Sequence, residues 1–148
     1  MSSKPIPKGR KDFAFFTTVQ TRWMDNDVYG HVNNVNYYSY FDTVVNKHLI
    51  DEGALDIYKS DVIGLVVETQ CNYFASFAYP QTIEAGLAVS KIGSSSVRYE
   101  IGLFHEGEDK AAAQGHFIHV YVDRATNKPN PLPEALKKTV TSLQVSNS

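Results

Sequence analysis

A single cysteine, Cys71, excludes an internal disulfide and fits a reducing compartment. An excess of either charge is also missing: 14 Lys plus Arg stand against 16 Asp plus Glu, and the formal net charge is -2. That balance leaves no electrostatic footprint for a polyanion, so nucleic acid is not an expected partner. Long hydrophobic runs are absent too. No stretch approaches the roughly 20 apolar residues of a bilayer-spanning helix, and residues 1–12 carry basic side chains with no apolar run behind them. The expectation is a cytoplasmic protein with no membrane partner. No internal repeat or low-complexity segment is present. The turn Gly93-Ser94-Ser95-Ser96 lacks the G-x-S-x-G spacing of a nucleophile elbow, and Asp25, Asp27 and His31 lack a recognised metal-ligand spacing. No metal and no cofactor are expected.

What the sequence does have is apolar content. Of its 148 residues 43% are hydrophobic and 12% aromatic, and a compact chain near this size buries about 68–70% of the surface its unfolded form exposes. One core suffices, and one domain is expected over residues 13–140, with a flexible tail at 1–12 and another at 141–148.

Residues 13–22 read as a strand, with Phe15, Thr17, Val19 and Thr21 alternating against Phe16, Thr18, Gln20 and Arg22. Over residues 34–52 the spacing predicts a helix, because Tyr37, Phe41, Val44, Val45, His48 and Leu49 recur at intervals of three and four, with Val35, Tyr38 and Tyr40 widening the stripe. Gly53 is placed to stop it. Four more strands are expected at 62–73, 82–91, 95–104 and 111–123, the first with Val67, Thr69, Cys71 and Tyr73 on one face. Their short connections demand largely antiparallel pairing, as a meander. A short helix is expected near 133–138, where Pro133 and Glu134 suit a helix start. The class is α+β: an antiparallel sheet of about five strands wrapped around one long central helix.

Chemistry concentrates just ahead of that helix, in Arg22-Trp23-Met24-Asp25-Asn26-Asp27-Val28-Tyr29-Gly30-His31-Val32-Asn33-Asn34. A helix start offers unpaired N–H groups and a partial positive charge, which is what a developing oxyanion needs. A carboxylate a few residues upstream is then placed to attack an acyl carbon or to activate water, and Asp27 is that residue. The bland alternative for Asp27 is a cap or a loop-ordering role. Asp25 reads as structural, bonding loop amides. His31 reads as a loop-ordering group before it reads as an acid or base. Tyr37, Tyr40 and Phe41 are core first, with Tyr37 the best placed of them to reach a ligand.

The same segment closely resembles the signature of the 4-hydroxybenzoyl-CoA thioesterase-like branch of the hotdog superfamily. The resemblance extends to Tyr37, Tyr40, Phe41 and Asp42, the Ile92-Gly93-Ser94-Ser95-Ser96 turn and Val122-Asp123-Arg124-Ala125-Thr126, and spans about residues 13–136. It implies a hotdog fold and a thioesterase acting on acyl-CoA esters. It also implies a catalytic carboxylate at Asp27 and a polarising backbone N–H at Asn34, and Gly30, His31 and Tyr37 beside them are the expected substrate-binding residues. A homodimer, often paired into a homotetramer, with its active site at the subunit boundary, follows from the same resemblance. A non-catalytic acyl-CoA or acyl-carrier binding protein, and a hydratase using His31, stay open at this point.

Overall fold

The computed structural model describes residues 5–56 and 59–145. Its elements are β1 (Phe15–Gln20), α1 (Asn34–Asp51), β2 (Val62–Tyr73), β3 (Thr82–Ile92), β4 (Ser96–His105), β5 (Ala113–Asp123) and α2 (Glu134–Ser142). The strands form one sheet in the order β1-β3-β4-β5-β2, and every neighbouring pair is antiparallel.

The expected stripe is the buried face of α1, where Tyr37, Tyr40, Phe41, Val44, Val45, His48 and Leu49 all lie inside. Val35, expected to widen it, instead stands 71% exposed at the helix start. The sheet meets this face with Ile83, Ala85, Leu87 and Val89 of β3 and Val97, Tyr99, Ile101 and Leu103 of β4, all buried as the alternation requires. Phe41 packs edge-on against Phe117 of β5 at 5.8 Å, and Phe15 of β1 lies 4.3 Å from the His48 ring. Gly53, at φ 74°, ends the helix in a conformation that other residues resist.

Three expectations change. The meander holds only for β3-β4-β5, because β2 pairs with β5 at the far edge, and residues 74–81 cross the end of the sheet to reach β3. Within β2 the register shifts between Val66 and Glu68, so the face of Thr69, Cys71 and Tyr73 is not continued by Val67. The C-terminal helix runs on to Ser142, burying Leu136, Thr139 and Val140.

Both expected tails reach beyond the described residues, at 1–4 and 146–148. The described part of the first is held to the sheet: the Lys8 N–H donates to Gln114 Oε1 at 2.7 Å, and Gln114 Nε2 donates to the Ile6 carbonyl at 3.1 Å. At the other end, the Val89 N–H donates to the Leu143 carbonyl at 3.0 Å.

A polar cluster sits inside the core on β4 and β5. The Tyr99 and Tyr121 hydroxyls share a 2.6 Å hydrogen bond, and His119, 3% exposed, has Nδ1 3.5 Å from the Tyr121 hydroxyl. Its Nε2 has no partner among the described residues. Burial pushes the His119 pKa down to about 4. The unfolded chain therefore takes up a proton below an ordinary pKa near 6.5, while the folded protein holds His119 neutral until about pH 4. Stability falls as pH drops through that window, by about 3 kcal/mol from this group. Chemical denaturation at a series of pH values should show this acid loss, and His119→Leu should flatten it.

Candidate active site

Between β1 and α1 the chain forms a one-turn helix, Trp23–Asp25, and then a tight turn closed by its own backbone. The Asp27 N–H donates to the His31 carbonyl at 2.8 Å, and the Gly30 N–H donates to the Asp27 carbonyl at 3.1 Å. Gly30 sits at φ 82°, a conformation that disfavours side chains, so its role is to make the turn. The Asp27 carboxylate accepts the Tyr29 N–H through Oδ1 at 2.8 Å, an Asx-type turn that fixes one oxygen and leaves the other without a hydrogen bond among the described residues.

Two contacts bring the chain from this turn into α1. Asn26 bridges to Val32, and the Val32 N–H donates to the carbonyl of buried Phe77 at 2.8 Å. Asn33 is the N-cap: its Oδ1 accepts the Val35 N–H at 3.1 Å, and its carbonyl accepts the Asn36 N–H at 3.0 Å. The Asn34 N–H, the first of the helix, has no acceptor among the described residues, as expected of an uncapped helix-start donor. Removing the cap with Asn33→Ala should lower stability by about 1 kcal/mol, read as a shift in the denaturation midpoint.

These residues open onto one cleft of about 480 Å³. Asp27, His31, Asn34 and Tyr37, all expected at the site, line it together with Tyr29 and Val32. Gly30 does not line it. The opposite wall is residues 73–76, the end of β2 and the start of the crossing to β3. Sequence reading missed that wall, since nothing in Tyr73-Phe74-Ala75-Ser76 announces a site. Tyr37, 2% exposed, packs edge-on against Tyr73 at 4.8 Å, so an aromatic pair joins the two sides of the cleft. Burial pushes the Tyr37 hydroxyl pKa up, which keeps it protonated.

His31 shapes the loop through its carbonyl, and its ring makes no hydrogen bond to a described residue. Cys71, half-buried behind Tyr73, has its thiol pushed up to about 11 by burial, far from the thiolate a nucleophile needs. Among the described residues no three His, Cys, Asp or Glu side chains converge as a metal site. No described helix is long and apolar enough to cross a membrane.

A family model described as the Thioesterase-like superfamily matches residues 19–140, from the end of β1 through most of α2. The chain belongs to the thioesterase-like superfamily. Its five-stranded antiparallel sheet around one long helix is the hotdog fold of that superfamily. A crystal structure of the PA5185 protein from Pseudomonas aeruginosa is 49% identical, with a TM-score of 0.94 over 97% of this chain and 100% of that one. A 1,4-dihydroxy-2-naphthoyl-CoA thioesterase from Synechocystis shares the fold at 17% identity, with a TM-score of 0.77 over 86% of this chain and 95% of that one. Among curated relatives of this thioesterase-like chain, the uncharacterized protein YsmA of Bacillus subtilis is 26% identical, covering 92% of this chain and 91% of YsmA.

Proposed function

We propose that the protein hydrolyses an acyl-CoA thioester to a free carboxylic acid and coenzyme A. The observation that carries this reading is that the Asp27 carboxylate and the Asn34 N–H, which has no acceptor among the described residues, line one cleft with the aromatic pair Tyr37 and Tyr73. The thioester carbonyl oxygen sits on the Asn34 N–H, where the helix start stabilises the charge that grows on it. Asp27 either attacks the carbonyl carbon directly or takes a proton from the attacking water. The C–S bond then breaks, and the coenzyme A sulfur leaves and is protonated. If Asp27 has attacked, water hydrolyses the resulting anhydride and regenerates the carboxylate. The solved coenzyme A thioesterases of the same fold support the substrate class. No cofactor takes part in this scheme.

Thiol release from a panel of short, medium, long and aromatic acyl-CoA esters tests the reading. At least one ester is expected to yield free thiol and free acid in equal amounts. Release from none would favour a non-catalytic acyl-CoA or acyl-carrier binding protein.

The working unit in this reading is a homodimer or homotetramer with cleft and subunit boundary adjoining. β2 is an edge strand, yet it exposes Leu65, Val66 and Val67, and the loop beside the cleft exposes Val28 and Tyr29. An apolar edge of this kind is a template for pairing with a second copy. Sedimentation equilibrium should give twice or four times the chain mass, and Val67→Lys should lower it. A wild-type protein at the single-chain mass would overturn this assembly.

A further inference from the structure

The hydrogen bonds within residues 27–31 shape the turn but do not tie it to α1. That tie runs largely through Asp25. Its carbonyl accepts the Asn33 N–H at 2.9 Å and Asn36 Nδ2 at 3.0 Å, and its Oδ2 accepts the Tyr40 hydroxyl at 2.7 Å. These partners are the N-cap, the first turn and the second turn of α1. From the β1 side, the Arg22 N–H donates to Oδ2 at 2.9 Å, and the Arg22 guanidinium donates to Oδ1 at 3.1 and 2.9 Å. Asp25 is 1% exposed, so its carboxylate depends on these donors in place of water.

We propose that Asp25 is the positioning residue of this site: its buried carboxylate and its carbonyl clamp the strand-to-helix segment onto the first two turns of α1, fixing the Asp27 carboxylate against the Asn34 N–H. The proposal rests on the thioesterase reading, because it assigns Asp25 a part in the same reaction. Asp25 does not line the cleft, so any part it has in the reaction runs through the residues it holds. Burial pushes its pKa up, but the Tyr40 hydroxyl and the Arg22 guanidinium and N–H outweigh that and hold the carboxyl below the usual range. The carboxyl is therefore ionised at neutral pH.

An Asn at this position cannot reproduce the clamp. Both carboxylate oxygens face obligate Arg22 donors, the main-chain N–H at Oδ2 and the guanidinium at Oδ1. Whichever atom becomes the amide nitrogen then meets a donor head-on. The segment must shift, and Asp27 shifts with it. A displacement on the order of 1 Å costs up to about 10²-fold in rate.

The test is steady-state thiol release by the wild type, Asp25→Asn, Tyr40→Phe, Asp27→Asn and Asp25→Asn/Asp27→Asn, on the ester the wild type cleaves fastest. Asp25→Asn is expected to lose roughly 10–10²-fold in kcat with KM within about threefold, and Tyr40→Phe about tenfold. If Asp25→Asn does not fold, Tyr40→Phe carries the same kcat-against-KM test. In the double variant the Asp25 change should add no loss to that of Asp27→Asn alone, because a positioning residue acts through the group it positions. Wild-type kcat in folded Asp25→Asn or Tyr40→Phe, a loss confined to KM, or an additive loss in the double variant would overturn the positioning role. No thiol release by the wild type would overturn the thioesterase reading itself, and the positioning role with it.

Discussion

Asp27→Asn is expected to lose turnover by on the order of 10²–10⁴-fold while keeping its fold. The substitution is nearly isosteric. The amide oxygen still accepts the Tyr29 N–H now bonded to Oδ1, so the turn that presents residue 27 is retained. Asp27 is only half-buried, and no cation is paired to it among the described residues, so removing its charge strands no partner inside the protein. What changes is the free oxygen. An amide neither attacks an acyl carbon nor takes a proton from water at neutral pH, so both routes open to Asp27 close together. The measurement is kcat and KM by thiol release beside the thermal midpoint of each protein. The expected pattern is a loss in kcat, a KM that moves little, and stability changed by less than about 0.5 kcal/mol.

Gly115→Ala is expected to be the most damaging single methyl in the fold. Gly115 lies on β5 opposite Cys71 of β2, with α1 directly over it. A β-carbon there would stand 2.0 Å from the Gln70 carbonyl oxygen and 2.7 Å from the Phe41 ring. A ring at the core can rotate away, but a carbonyl in a strand ladder cannot move without breaking the β2–β5 pairing. Overpacking costs about 1–3 kcal/mol where side chains can yield, so a clash with the main chain should exceed about 3 kcal/mol. Denaturant unfolding of Gly115→Ala checks the size of the loss. The double variant Gly115→Ala/Phe41→Leu checks its cause: relief of the ring contact alone should leave most of the loss in place, whereas recovery of wild-type stability would show that Phe41 was the obstacle.

Much of this architecture was legible in the residues because periodicity decides it. The stripe of α1 and the inward faces of β3 and β4 came from apolar spacing, and burial follows spacing whenever one layer covers another. The segment Asp25 to Asn34 was legible for a different reason: a dense run of turn formers and carboxylates before an apolar helix has few structural uses, and Asp27, His31, Asn34 and Tyr37 do face one cleft. The order of the strands was not legible. Each strand is compatible with either neighbour, and β2 finds β5 because residues 74–81 reach past the start of α1, a matter of tertiary packing. The same crossing supplies the second wall of the cleft, which is why residues 73–76 carried no local signal. The β2 bulge at Val67 and the clamp made by Asp25 and Tyr40 went unread for the same reason, since both depend on partners distant in sequence.

The most direct measurement is a crystal structure of the Asp27→Asn protein holding an acyl-CoA ester that it no longer cleaves. The expected result is a thioester carbonyl oxygen about 2.7–3.1 Å from the Asn34 N–H, with the carbonyl carbon facing residue 27 across the cleft. A thioester seated outside this cleft, or one whose carbonyl points away from the start of α1, would contradict the assignment of Asp27 and Asn34 to the reaction.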